Sequence, residues 1–145
     1  MFYQYNHLGS PDYLKIEKNN NFSFPSHLHQ CFEIIIILSG EMEITIDGKK
    51  HTLKKGEASL IFPNQIHELK SQESEHVLCI FSPRIVQAFT TNVVDKIPTN
   101  NKFCPDEFLI GEIKKLDAAS PALKKGILYS LCGRFDECAE YTAKK

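Results

Sequence analysis

This sequence predicts a mainly β domain, an antiparallel barrel or sandwich followed by helices, and three observations carry that prediction. Between residues 13 and 82, short β-type runs follow one another at near-regular spacing, each closed by a turn signal. The stretches between those runs are too short for the helical crossovers that parallel strands require. From residue 83 onward the apolar spacing changes to helical intervals of three and four.

Tyr13 to Ile16 is the first expected strand, and Phe22-Ser23-Phe24 alternates before Pro25. Phe32 to Leu38, apolar except for Glu33 and rich in isoleucine, reads as a strand covered on both faces. Ser39-Gly40-Glu41 reads as a tight turn, and Met42 to Ile46 as the next strand, with Met42, Ile44 and Ile46 on one face. Asp47-Gly48 is the strongest hairpin signal in the chain, because both central residues of a type I′ turn need positive φ. Lys49 to Leu53 is its return strand. Lys55-Gly56-Glu57 turns again into Ala58 to Phe62. Pro63-Asn64-Gln65 interrupts, Ile66 to Leu69 resumes, Ser71 to His76 reads as a polar turn, and Val77 to Phe81 is the last strand.

Ser82-Pro83 then has the form of a helix cap followed by proline at the first helical position, opening a short helix to about Asn92. Pro105-Asp106-Glu107 opens another, with acidic residues where the helix dipole favours them and an apolar stripe of Phe108, Leu109, Ile113 and Leu116. Ser120-Pro121 repeats the cap. Its helix reads to the C-terminus, with Leu123, Ile127, Leu131, Phe135 and Cys138 on one face. The expected division is residues 1–82 for the β domain and 83–145 for a helical segment.

Composition narrows the function classes. The 145 residues are one domain's length. Seventeen basic against eighteen acidic residues, a net charge of −1, exclude a strongly basic domain built for phosphate backbones and give no polybasic membrane anchor. The longest apolar run, Ile34 to Leu38, is far short of the roughly 20 residues a spanning helix needs. The first residues lack the pattern of a secretory signal. Five cysteines without a C-x-x-C pair read as reduced, buried thiols of a cytoplasmic protein.

The chemistry concentrates in His27-Leu28-His29-Gln30-Cys31-Phe32-Glu33. On a strand, residues 27, 29, 31 and 33 share a face, so two imidazoles and a carboxylate point the same way, as metal ligands do. His67, at the start of a later strand, is the natural fourth ligand. The same residues also fit a second reading, with His27 and His29 as half-exposed strand residues near a barrel mouth and Glu33 in a buried hydrogen bond. No role is read for His7, for His51 on the outward face of the hairpin, or for His76.

These residues carry a resemblance. His27-x-His29-x-x-x-Glu33 through Gly40 resembles the first cupin motif, and Gly56 through Pro63 to His67 resembles the second. The second departs from the pattern in its gap lengths and in lacking a glycine after the proline. Gly40-Glu41, Asp47-Gly48-Lys49, Lys54-Lys55-Gly56-Glu57 and Pro63-Asn64-Gln65-Ile66-His67, in this order, resemble the N-terminal sensor domain of AraC-type transcriptional regulators. The likeness covers about residues 10 to 85.

That resemblance implies a cupin-like antiparallel barrel, a double-stranded β-helix, holding a small-molecule effector in its mouth. Helices after it would form a homodimer interface. A DNA-binding domain with two helix-turn-helix units has no counterpart in these residues, so the expectation is the sensor part of a longer regulator, contacting DNA only through that other domain. The cupin ligand positions fall on His27, His29, Glu33 and His67, which suit Zn²⁺, Ni²⁺ or Fe²⁺; the resemblance leaves the metal itself open.

Strand parity nominates Ile35 and Ile37 as effector-facing, with Phe24 at the lip and Phe62 and Phe81 closing the wall; plain barrel core is the other reading of all five. The expected dimer contact is the face of Leu123, Ile127, Leu131 and Phe135. The reading assigns the module no catalytic role. Its alternatives are a small metal-dependent cupin enzyme, a dioxygenase or isomerase, and a filled interaction domain without ligand.

Overall fold

The computed structural model describes residues 2–3, 12–20, 23–28 and 30–144. Its strands are β1 (Phe2–Tyr3), β2 (Leu14–Asn20), β3 (Phe24–Leu28), β4 (Phe32–Ile46), β5 (Lys49–Lys54), β6 (Ala58–Ile61), β7 (His67–Phe81), β8 (Lys96–Pro98), β9 (Lys102–Phe103) and β10 (Tyr141–Ala143). Its helices are α1 (Gln87–Asn92), α2 (Glu107–Ile113) and α3 (Pro121–Cys138), with 3-10 turns at Pro83–Val86 and Leu116–Ala118.

Eight strands form one sheet in the order β1-β3-β7-β4-β6-β9, with β2 also on β7 and β5 also on β4. Apart from the parallel β1–β3 pair, its neighbours are antiparallel. The sheet path ends at β1 and β9, so among the described residues the barrel is open rather than closed. Two strands, β4 and β7, are 15 residues long. The first half of β4 pairs with β6 and the second half with β5, while β7 follows it throughout.

Two expected turns are therefore bends inside long strands. Register shifts lie between Ile37 and Ser39 and between Glu41 and Glu43, the bulges by which a strand turns a corner without ending. Gly40 permits this bend. Its φ is +72°, and a Cβ there would lie 2.1 Å from the Glu73 carbonyl oxygen. Ser71 to His76, expected as a turn, is strand and continues into Val77.

The period-2 alternation sorts β4 between two cores. Phe32, Ile34, Ile36 and Leu38 face the helices, packing with Val77, Cys79 and Phe81 from β7 and with Leu128, Leu131 and Phe135 from α3. Ile35 and Ile37 face inward, with Met42, Ile44, Ile46, Leu53, Leu69, Leu78 and Ile80. Aromatic rings bind the outer layer. The Phe32 and Phe62 centroids are 5.3 Å apart edge-to-face, and Phe103 meets Phe135 at 5.5 Å. Such pairs add about 0.5–1.5 kcal/mol each beyond area burial.

The local signals hold where they are strong. Asp47 and Gly48 have φ of +48° and +82°, both positive as the type I′ turn requires. Ser82, Asp106 and Ser120 each accept a backbone N–H at their helix starts. Two helix expectations are corrected. α3 ends at Cys138, and the chain then returns as β10 along β8. On α2, Leu109 and Ile113 are buried, while Phe108 stands 73% exposed, off the stripe.

Candidate metal centre

Glu33 lies on the inward face of β4, and His67 opens β7, its backbone paired with Ile46 of β4. Both side chains are 1% exposed. Glu33 Oε1 stands 3.4 Å from His67 Nε2. A carboxylate removed from water in this way needs charge compensation, because its desolvation is otherwise costly. The Pro63–Gln65 turn brings His67 back toward the barrel. Asn64 there has φ of +68°, a conformation that asparagine tolerates better than most residues.

The His67 ring is oriented from behind. Its Nδ1 lies 2.9 Å from the Gln65 carbonyl oxygen. A carbonyl only accepts, so Nδ1 carries the hydrogen and Nε2 turns to Glu33. Burial acts to lower the His67 pKa, but the Glu33 carboxylate, with the Gln65 carbonyl and Asp47, outweighs it and holds the ring above the ordinary histidine value.

This arrangement fits metal ligation. Metal-bound histidines commonly donate their other ring N–H to a carbonyl or carboxylate. A separation of 3.4 Å exceeds the about 2.7–2.9 Å of a close charge-assisted hydrogen bond. It matches the edge of a coordination sphere, since two donors about 2.1 Å from one ion in tetrahedral geometry stand about 3.4 Å apart. Among the described residues no group of three or more His, Cys, Asp and Glu is assembled for a metal. Of the remaining expected ligands, His29 lies outside the described residues. The His27 backbone pairs directly with that of His67 in the β3–β7 ladder.

The expected effector wall divides. Ile35 and Ile37 belong to the inner core, with Phe24 packed against it. Phe62 and Phe81 are in the outer core against the helices, because Phe81 shares the parity of Cys79 and Val77, and Phe62 that of Leu60 and Ala58. The five residues therefore do not line one pocket, a correction to that expectation. The cavity that Phe62 does line, about 190 Å³, opens between the Pro63–Gln65 turn and residues 93–97. A broader groove of about 1230 Å³ lies on the outward face of the second half of β4 and its neighbours β5 and β7, among Glu41, Glu43, Lys54 and Lys70. Arg84 is exposed.

The expected dimer face is corrected as well. Ile127, Leu131 and Phe135 are 6%, 0% and 1% exposed within a single chain, packed on the sheet. Leu123 alone of the four is open, at 47%. The amphipathic pattern of α3 is satisfied by its own β domain.

Several polar residues inside the barrel were not singled out by sequence. His76, completely buried, pairs with Ile37 and so faces inward. Its Nδ1 lies 3.1 Å from Ser74 Oγ, which is also hydrogen-bonded to Ser71 Oγ. Burial pushes the His76 pKa down. The signal was the alternation of His76, Leu78 and Ile80, which continues the inward face of β7. His51, expected outward, pairs with inward-facing Ile44, and burial, then Lys102, lowers its pKa.

Comparison with known proteins agrees on the fold. Residues 15–82 match the family described as Cupin domain, and the chain has the cupin fold, mainly antiparallel sheet with a few C-terminal helices. No curated protein matches the sequence. Among solved structures, a conserved Streptococcus pyogenes protein of unknown function is 24% identical with a TM-score of 0.44, over 48% of this chain and 65% of that one. This chain thus spans just under two thirds of that relative. A cupin described as RmlC-like from Shewanella frigidimarina is 20% identical with a TM-score of 0.43, over 48% and 66% of the two chains. A Bacillus subtilis oxalate decarboxylase variant is 15% identical with a TM-score of 0.43, over 54% of this chain and 23% of the other.

That last neighbour is named as an enzyme. The expectation that this module has no catalytic role does not stand. Among the described residues, no helix is long and apolar enough to cross a membrane.

Proposed function

We propose that the cupin domain at residues 15–82 is the metal-binding core of a small metal-dependent cupin enzyme, with Glu33 and His67 among its ligands. The observation that carries this reading is the buried approach of Glu33 Oε1 and His67 Nε2 at 3.4 Å, with the His67 ring tied from behind to the Gln65 carbonyl. His27, opposite His67 in the ladder, and His29, near it in sequence, are the further proposed ligands. Zn²⁺, Ni²⁺ and Fe²⁺ suit imidazole and carboxylate donors.

When bound, a divalent ion in such a site supplies Lewis-acid polarisation of a substrate oxygen or activation of a bound water. The chain's own residues do the rest. Gln65 holds the His67 tautomer that keeps the Nδ1 hydrogen away from Glu33. Ile35, Ile44, Ile46 and Ile61 of the inner core keep bulk water from the buried pair, which strengthens its electrostatics. The substrate class that fits a divalent ion held by imidazole and carboxylate donors is a small, oxygen-bearing organic molecule.

The test is calorimetric titration of the metal-free protein with Zn²⁺, Ni²⁺, Fe²⁺ and Mn²⁺, repeated on Glu33→Gln and His67→Gln. The reading expects one ion per chain in the wild type and at least a tenfold weaker affinity in both variants. Equal binding by wild type and variants overturns it. The finer reading, the sensor domain of an AraC-type regulator, rests on the order of the turn segments alone; a small molecule bound with high affinity by rigorously metal-free protein is the result that would favour it.

A further inference from the structure

The residue that locks the His67 turn comes from outside the cupin match. Asn101 lies between β8 and β9, beyond residue 82, and is buried at 7% exposure. Its Nδ2 donates to the Gln65 side-chain Oε1 at 2.7 Å and to the Leu60 carbonyl at 2.8 Å. These use both hydrogens of its amide. Its backbone oxygen accepts the Leu60 N–H at 2.9 Å, which fixes Asn101 to the end of β6 independently of its side chain.

Gln65 is the hub this amide grips. Its Oε1 also accepts the Phe62 N–H at 2.9 Å, and its Nε2 donates to Asp47 at 3.1 Å. Asp47 in turn accepts the Ile66 N–H at 3.0 Å and donates its own N–H to the Ile66 carbonyl at 2.8 Å. The Gln65 side chain is thus pinned from three sides, and its backbone carbonyl is the acceptor that sets the His67 ring. Asn101, Gln65 and His67 are all buried, and the relay runs from the Asn101 amide to the Gln65 side chain and from the Gln65 backbone carbonyl to the His67 ring, in surroundings where a hydrogen bond is both stronger and more costly to lose than in water.

We propose that Asn101 is a positioning residue for the metal centre: acting through Gln65, it holds His67 in the tautomer and orientation that present Nε2 to Glu33. The appended segment after residue 82 is then part of the site's construction and not only a cover for the outer face of the sheet. This inference rests on the metal reading for its function, but its geometry is independent of any ion.

The test compares wild type, Asn101→Ala and Asn101→Ser, the serine retaining one donor toward the Gln65 oxygen. Side-chain ¹⁵N correlation spectra of the metal-free proteins, at one alkaline pH, report the His67 tautomer; calorimetry with Zn²⁺ reports affinity. The wild type should display the Nδ1–H tautomer alone. Asn101→Ala should mix the two tautomers and weaken Zn²⁺ binding about 10–100-fold, the range for residues that orient a ligand from behind, with Asn101→Ser in between.

Backbone amide spectra separate this from general unfolding, and if the alanine variant does not fold, the serine variant carries the comparison. An unchanged His67 tautomer in a folded variant overturns the proposal. A role in fold stability alone would lower the melting temperature and leave the tautomer untouched. If wild type binds no metal while the tautomer still shifts in the variants, the metal reading fails and the positioning by Asn101 stands.

Discussion

The Phe62 ring, at the end of the strand that leads into the His67 turn, meets Phe135 of α3 at 5.8 Å between centroids. The C-terminal helix is therefore an internal partner of the β domain. Leu131 beside it is completely buried. Leu131→Ala should cost about 2–5 kcal/mol, as large-to-small core substitutions do, and should leave the sedimenting mass unchanged. Urea unfolding measures the first and analytical ultracentrifugation the second. A variant of unaltered stability that sediments at half the wild-type mass would return Leu131 to a subunit interface.

Gly40 and Gly56 share a positive φ, at +72° and +84°, and differ in surroundings. A Cβ on Gly40 runs into the Glu73 carbonyl at 2.1 Å, whereas one on Gly56 meets nothing within 4 Å. Gly56→Ala should cost about 1–2 kcal/mol, the left-handed penalty alone. Gly40→Ala should cost clearly more, because the β4–β7 ladder must open at its bend. Equal melting temperatures for the two variants would mean that the bend gives way without strain.

How much was legible follows from which signals are local. Alternation is local, so Glu33, Ile35 and Ile37 were assigned a shared face, and the structure puts all three inward. The bends at Gly40 and at Ser71–His76 looked like strand ends because a bulge and a turn draw on the same glycine and polar residues. That misreading hid His76. An amphipathic helix reports that its face is covered but not by what, so α3 read as a subunit contact. The Asn101–Gln65 bond joins residues 36 apart in sequence, and no spacing rule announces it.

Stability should respond to His76 as the pH falls. Its folded pKa is lowered by burial, so the unfolded chain takes up a proton first. The associated stability is present above the unfolded value of about 6.5 and is lost as pH falls below it. His67 has the opposite sign. Its pKa is raised, so its contribution is present below about 6.5 and lost as pH rises through its folded value. The melting temperature of wild type relative to His76→Gln should therefore drop between about pH 7.5 and about pH 5, an interval that brackets the unfolded pKa. A constant difference would show that His76 does not titrate on unfolding.

The thiols should divide by burial. Burial, with Glu33 contributing, pushes Cys31 up to about 11 and Cys79 up to about 12, and burial raises Cys132 as well. Cys104 and Cys138 are exposed. A thiol reagent at pH 8 should modify those two in the native protein and all five in denaturant, because the thiolate is the reactive form. Rapid native modification of Cys31 would place it at an open surface.

Glu33 and His67, on the proposed reading, converge to hold a cation. The most direct measurement is a crystal structure of protein grown with Zn²⁺, recorded at the zinc absorption edge. An anomalous peak is expected between Glu33 Oε1 and His67 Nε2, about 2.0–2.2 Å from each. Direct Glu33–His67 contact, with no peak between them and zinc bound elsewhere in the same crystal, would contradict it.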